Sequence, residues 1–438
     1  MKKQGWLALR VALLALLLLV LLAPLRRSAG LEALREGEAR LAAGEFTAAE
    51  QALQEAARLL PRSPAPALRL THLYQAWGRP EAGLIALEEA VRRGTAGEEV
   101  VSLRLDLLAE SGAWDRLREA AAARLAEEPR ERQALELLTR ALLHQHACAA
   151  AEARAATWYA VAPGESAAQR IWGALVLNSE VICRAGGAPC TALQQCPAGE
   201  SCALPLGQAL LAEGEWALAA CVLEQAVEAT PGSASAHAWL GAALERLGEL
   251  GAARSHLEQA VELAPEEPLG RLLLGQHLLQ RGEVEKAREA LFEAHRLDPQ
   301  NPAPVLAMAG VFAAQGSYSE ADVWAEAALE RAADDPEMWK AVARFYLQRN
   351  LSRGGRVQEI TAGAVERAPE DAEAWLLLGW ARLLEGDGAG ALQALDEALS
   401  RSPALAQAHY LRAQALHNLG RSEEAQQAFL RAADLGHR

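Results

Sequence analysis

The sequence predicts an all-α protein built as a solenoid of stacked helix–turn–helix hairpins. Half of the 438 residues are apolar, but aromatic residues make up only 5%, and the surplus is Ala and Leu, which favour helices. Glycines also recur at a fixed spacing of 34 residues, which is typical of repeat architectures. A chain of this length exceeds one compact core, so an array of repeats accommodates it well.

The repeat is marked by glycines in short motifs such as AEGEW at 212–216 and QRGEV at 280–284. Alanines and prolines keep the same frame, as at Ala294 and Pro299, twelve and seventeen residues after a repeat glycine. A glycine turn followed by a proline at the start of the next helix predicts two helices per period. Gaps of 34 or three times 34 separate Gly44, Gly78, Gly112, Gly214, Gly248, Gly282 and Gly316.

This pattern resembles the tetratricopeptide repeat family. The best agreement is in the eleventh unit, at Trp375, Leu378, Gly379, Gly386, Ala391, Leu395, Ala398 and Pro403. The resemblance implies a right-handed superhelical solenoid of about twelve repeats from Gly30 onward. Repeats one to four occupy 30–165, of which three and four are degenerate, and repeats six to twelve occupy 204–438.

The first 29 residues have a basic start and an uncharged run from Val11 to Leu25, which predicts a signal anchor or signal peptide outside the fold. Small residues at 28–30 would suit cleavage, but Arg26 and Arg27 just before them favour an uncleaved anchor. Basic residues flank both ends of the run, so orientation stays open.

The segment 166–203 is a degenerate repeat. Its second helix would contain Gly186, Gly187 and Pro189, which together oppose helix formation. We therefore expect an irregular cysteine-rich loop in place of most of that helix, with at most a short turn after Pro189.

Six cysteines lie in and around this loop. Disulfides suit an exported protein, zinc is disfavoured because no C-x₂-C pair is present, and buried thiols are the third interpretation. Six cysteines allow fifteen pairings, and Cys148–Cys183 is one candidate because the two occupy nearly equivalent positions of adjacent repeats. The nearby HQH at 144–146 is expected to be a polar turn and not a metal site. The disulfide candidates are Cys148, Cys183, Cys190, Cys196, Cys202 and Cys221.

Sequence motifs of catalysis are missing. No GxSxG, P-loop or HExxH sequence is present, and GDGAG at 386–390 falls on an expected turn between helices. We therefore expect no catalytic residue, no metal, no cofactor and no small-molecule substrate. The net charge is −14, and the five basic residues of the first thirty leave −19 on the rest, which argues against nucleic acid as a partner.

The resemblance implies a concave groove lined by the first helix of each repeat. Apolar and amide groups there suit an extended or helical peptide. Lys340, Arg344 and Trp380 are expected to receive an acidic or aromatic feature of the ligand; alternatively, Lys340 pairs with Glu337 and Trp380 only packs. The predicted groove residues are Leu204, Gln208, Leu272, Gln276, Leu306, Lys340, Arg344, Leu376, Trp380, Tyr410 and Gln414.

These features predict a non-enzymatic protein–protein interaction scaffold of the cell envelope. The repeats would be periplasmic or extracytoplasmic and held at the membrane by the N-terminal helix. One alternative is a cytoplasm-facing, membrane-tethered adaptor that recruits soluble factors, and another is a holder of a cysteine-based redox or metal site. No helix follows repeat twelve, so its last helix either caps the array or offers a docking seam.

Overall fold

The computed structural model describes residues 26–177, 181–183, 188–195, 202–349 and 355–435. Regular structure in these ranges is helical, which confirms the predicted all-α class. Most of the predicted N-terminal anchor lies outside the described residues, although a described helix begins by residue 26 and runs across the expected boundary at Gly30. Within the described ranges, no helix combines the length and the apolar character that crossing a bilayer requires.

The helices pair into hairpins in chain order, an odd-numbered helix being the first of its repeat and an even-numbered helix the second. They are α1 (26–42), α2 (Phe46–Leu59), α3 (Ala65–Ala76), α4 (Pro80–Arg92), α5 (Glu98–Glu110), α6 (Trp114–Glu127), α7 (Arg132–His144), α8 (Cys148–Val161), α9 (Ser166–Leu175), α10 (Ala188–Gln195), α11 (Ala203–Ala212), α12 (Trp216–Ala229), α13 (Ala234–Leu247), α14 (Leu250–Leu263), α15 (Pro268–Gln280), α16 (Val284–Leu297), α17 (Pro302–Ala314), α18 (Tyr318–Arg331), α19 (Pro336–Gln348), α20 (Arg356–Arg367), α21 (Ala372–Leu384), α22 (Gly388–Arg401), α23 (Ala406–Asn418) and α24 (Ser422–Asp434).

The repeat residues determine where the helices begin and end. Pro268, Pro302 and Pro336 occupy the first position of α15, α17 and α19, where a missing N–H costs nothing. The turn glycines have positive φ, as at Gly282 with φ +76°, a conformation that glycine adopts without steric cost. The predicted helix–turn–helix unit is therefore confirmed.

Close crossing of the two helices of a repeat depends on a small residue at the crossing point. A Cβ atom placed on Gly275 of α15 would lie 2.5 Å from Cγ of Leu291 on α16. Because ordinary contacts between carbon atoms are much longer, glycine is required at this approach. Leu291, Ala287 and Ala294 are fully buried in the resulting core.

The described chain divides into two compact units, of which the first comprises residues up to 113 together with 404–413 and residues from 420 onward. Its core includes Phe46, Leu53 and Leu73, and Leu430 of α24 packs against this cluster. A Cβ atom placed on Gly44 would lie 3.0 Å from Cδ1 of Leu430. The last helix thus contacts the N-terminal hairpins of its own unit.

The second unit comprises residues 114–403 and 414–419 and contains the degenerate repeat five. Helix α10 is eight residues long, which is more than the predicted short turn. Pro189 is its second residue, a position that tolerates proline, and the two glycines precede the helix. Because α10 is short compared with other second helices, α12 of repeat six contacts α7 and α9 directly.

A disulfide joins Cys148 at the start of α8 to Cys221 on α12, with Cα atoms 5.6 Å apart. The suggested Cys148–Cys183 pairing is therefore wrong, because α12 brings Cys221 beside repeat four. Cys183 and Cys202 are also disulfide-bonded, and the described part of the chain contains no free cysteine. The side chains of Cys190 and Cys196 lie outside the described residues.

Candidate functional site

The first helices of repeats eight, nine and ten line a cavity of about 630 Å³, a volume typical of binding sites. Its wall is apolar on α17 and carries amide groups on α15 and α19. The lining residues are Gln276, Leu279, Gln280, Ala303, Leu306, Ala307, Gly310, Met338, Ala341, Arg344, Phe345, Gln348 and Arg349.

Three predicted groove residues, Gln276, Leu306 and Arg344, meet in this cavity. They come from three successive first helices, as the 34-residue frame requires. Gly310 of α17 keeps the floor open, because a Cβ atom there would lie 2.9 Å from Cδ2 of Leu279 and 3.7 Å from Nη2 of Arg349. The structure therefore gathers part of the predicted set into one concave site.

Arg349 is a lining residue that the sequence analysis missed. Its guanidinium lies 4.8 Å from the ring centroid of Phe345, one helical turn earlier, as in a cation–π contact. Partial burial lowers the pKa of Arg349, although the group remains charged. No carboxylate in the described ranges pairs with Arg349. The Phe-x₃-Arg spacing at the end of a first helix is the sequence signal that would have identified it.

Lys340 has a different environment from the one predicted. The structure places its side chain in the core, 4% exposed, with Nζ 2.5 Å from Asp371 and 2.8 Å from Glu337. Arg344 forms an ion pair with Glu373. The Lys340 charge is thus balanced within the chain, and the alternative pairing with Glu337 is present.

The ion pair with Asp371 accounts for the burial of the Lys340 side chain. The Asp371 carboxylate caps α21 by accepting a hydrogen bond from the backbone N–H of Glu373 at 2.8 Å. Burial by itself would raise the pKa of Asp371, but the hydrogen bond from Lys340 and the backbone N–H groups outweigh it and lower the pKa. Lys340 therefore joins repeat ten to the beginning of repeat eleven.

The other predicted groove residues fall into three classes. Leu272 and Leu376 are buried. Leu272 packs in a cluster with Met308 and Val311 of the next repeat, so it contributes to the packing between the two repeats. Trp380 packs against the core cluster around Val342, as the alternative interpretation expected. Half-buried positions that could still contact a partner are Leu204, Gln208, Tyr410 and Gln414, and their role stays a prediction.

Comparison with known proteins supports the repeat assignment. Tetratricopeptide repeat models match residues 204–268, 246–302 and 362–406, with two further models of that repeat on 278–345 and 394–427. No curated protein matches the chain at the level of sequence.

Several solved structures are similar to this chain. Yeast Tom70 has a TM-score of 0.46 and 14% identity, over 94% of this chain and 93% of Tom70. A tetratricopeptide repeat protein of the thermophile Thermus thermophilus, TTC0263, has a TM-score of 0.38 and 26% identity, over 41% of this chain and 97% of its own. The APC/C hetero-tetramer Cut9-Hcn1 has a TM-score of 0.41 and 15% identity, over 92% of this chain and 94% of that chain.

The matched repeat models, the 34-residue frame and the paired helices agree with one another. Residues 204–345 and 362–427 of this chain are therefore tetratricopeptide repeats.

Proposed function

We propose that the protein is a non-enzymatic scaffold that binds a segment of a partner polypeptide in the cavity formed by α15, α17 and α19. The observation that carries the proposal is the lining of this cavity, which combines an apolar floor, three glutamines and the guanidinium of Arg349. Glutamine amides can donate to and accept from a peptide backbone, and apolar side chains of the ligand would occupy the floor around Leu306.

The partner segment carries an acidic group that pairs with Arg349. A guanidinium forms two parallel hydrogen bonds with a carboxylate, and Arg349 is not already engaged by a carboxylate in the described ranges. Arg344 and Lys340 have such partners. The acidic feature expected at Lys340 and Arg344 is therefore assigned to Arg349 instead.

The proposed location is the cell envelope, with the repeats outside the cytoplasm. The basic and apolar N-terminal sequence supports this location, as do the disulfide-bonded cysteines of repeats four to six, because disulfides persist in oxidising compartments. An alkaline phosphatase reporter fused after residue 60 should be active. An inactive reporter would support the cytoplasm-facing adaptor instead.

Site-specific photo-crosslinking tests the binding surface. A benzophenone amino acid at the exposed Gln348, on the rim of the cavity, should capture a partner in intact cells. The same amino acid at Val323, which is 65% exposed on the second helix α18, is the matched control and should not capture that partner. Capture from Val323 and not from Gln348 would contradict the proposed surface.

A further inference from the structure

The turn of repeat four has an unusual residue at its centre. His146 follows Gly112 by 34 residues and occupies the position of the turn glycine, with φ +53°, a conformation unfavourable for residues with a side chain. Its side chain is only 14% exposed; Nδ1 lies 3.4 Å from Glu224 and Nε2 lies 3.2 Å from Glu249. Neither ring nitrogen makes a well-aligned hydrogen bond. A strained, enclosed imidazole of this kind is often functional.

Glu224 contacts both this imidazole and the disulfide of repeats four and six. Cys148 is two residues after His146, and Cys221 and Glu224 are one turn apart on α12. A Glu224 carboxylate oxygen is 3.1 Å from Sγ of Cys148. The two sulfur atoms and a Glu224 oxygen all lie within 4.8 Å of one another.

We infer that these groups form a redox-gated zinc site. A dithiol reductant of the thioredoxin class, acting in the same compartment as the repeats, transfers two electrons and two protons to the Cys148–Cys221 disulfide and is itself oxidised to a disulfide. Zn²⁺ then displaces the two thiol protons and binds the two thiolates, Nδ1 of His146 and the carboxylate of Glu224. Glu249, 3.2 Å from Nε2, lies where a carboxylate orients the ring of a metal-binding histidine.

The ligand spacing supports this inference. His146 and Cys148 form an H-x-C pair on one turn, and Cys221 and Glu224 form a C-x₂-E pair on one helix face. Tetrahedral zinc with Zn–S bonds of about 2.3 Å separates its two sulfur ligands by about 3.8 Å. Rotation of the two cysteine side chains supplies that separation after the S–S bond breaks. From the sequence we expected no metal site, because no C-x₂-C pair is present. A site with two cysteines, a histidine and a glutamate does not need such a pair.

Zinc binding by the full-length protein tests the inference. The chain is reduced with a water-soluble phosphine, which becomes the phosphine oxide, and is then equilibrated with Zn²⁺ alone. Reduced protein should bind one zinc ion at this site, and oxidised protein none. Cobalt in place of zinc should give thiolate-to-metal charge-transfer absorption. His146→Gly and Glu224→Gln should each weaken zinc binding by roughly 10–100-fold, the scale that even outer-shell changes reach.

Control variants distinguish this site from the neighbouring cysteine loop. A Cys148→Ser, Cys221→Ser variant should lose the ion, and Cys183→Ser should retain it. The inference is overturned if reduced wild-type protein binds no more zinc than the double variant, or if Cys183→Ser loses the ion equally. His146→Gly restores the residue used in the other turns, so it should fold even if the double variant does not. Unchanged zinc affinity of that glycine variant would also overturn the inference.

Discussion

Arg349 is the residue that most directly sets the chemistry of the proposed ligand. Its neighbour in the cavity, Arg344, is neutralised by Glu373, and Lys340 is neutralised by Asp371 and Glu337. Neither pairing across repeats could be predicted from one sequence, because the partners are about 30 residues apart and meet only when the repeats stack. A charge on a groove position therefore does not by itself identify a binding residue.

Replacing Arg349 should separate binding from folding. Arg349→Glu should weaken binding of the crosslinked partner at least about tenfold, since it replaces a charge-assisted pair with like-charge repulsion. The stability of the chain should change by no more than about 1 kcal/mol, the scale of the lost cation–π contact with Phe345. Isothermal titration calorimetry and urea denaturation measure the two effects.

The control for this substitution is Arg288→Glu, which makes the same charge change on the second helix α16, where Arg288 pairs with Glu285 of the same helix. It should leave partner affinity unchanged. Equal losses in both variants would mean that net charge, and not the contact at Arg349, controls binding.

At the scale of the helix pair, the sequence was most informative where backbone geometry allows only one residue type. The turn glycines and the prolines at helix starts predicted the hairpins. Repeats three and four also form hairpins, although they carry large residues where other repeats have small ones. Two of these large residues, Trp158 and Leu117, are fully buried. Repeat five was harder to predict. Its shortened α10 lets α12 approach α7, and that displacement creates the Cys148–Cys221 contact.

Gly275 provides a test of the helix-pair packing. Gly275→Ala should destabilise the protein by about 1–3 kcal/mol, because the added methyl group collides with Leu291 and this strain exceeds the gain in helix propensity. Since repeat arrays need not unfold in one step, the measurement is the shift in the urea midpoint of the helical signal.

Gly251→Ala is the matched control, because a Cβ atom at this position of α14 would meet no atom within 4 Å. Its midpoint should stay the same or rise slightly. A midpoint for Gly275→Ala equal to or above that of Gly251→Ala would show that close helix crossing does not require the glycine.

At the scale of the whole molecule, the repeat frame has two consequences for function. Each hairpin packs mainly on its neighbours, so first helices from successive repeats share one surface, as α15, α17 and α19 do around the cavity. The repeat frame predicts which helices share a surface. It does not predict which cations are paired within the chain, and it does not predict that α24 contacts the N-terminal hairpins.

The function of this protein depends on whether the surface of α15, α17 and α19 binds a partner polypeptide. The most direct measurement is the yield of photo-crosslinked product from Gln348 compared with Val323 in the same cells. We expect a discrete product from Gln348 that disappears when Arg349→Glu is added, and none from Val323. A product of equal yield from both positions, or one from Gln348 that is insensitive to Arg349→Glu, would contradict this expectation.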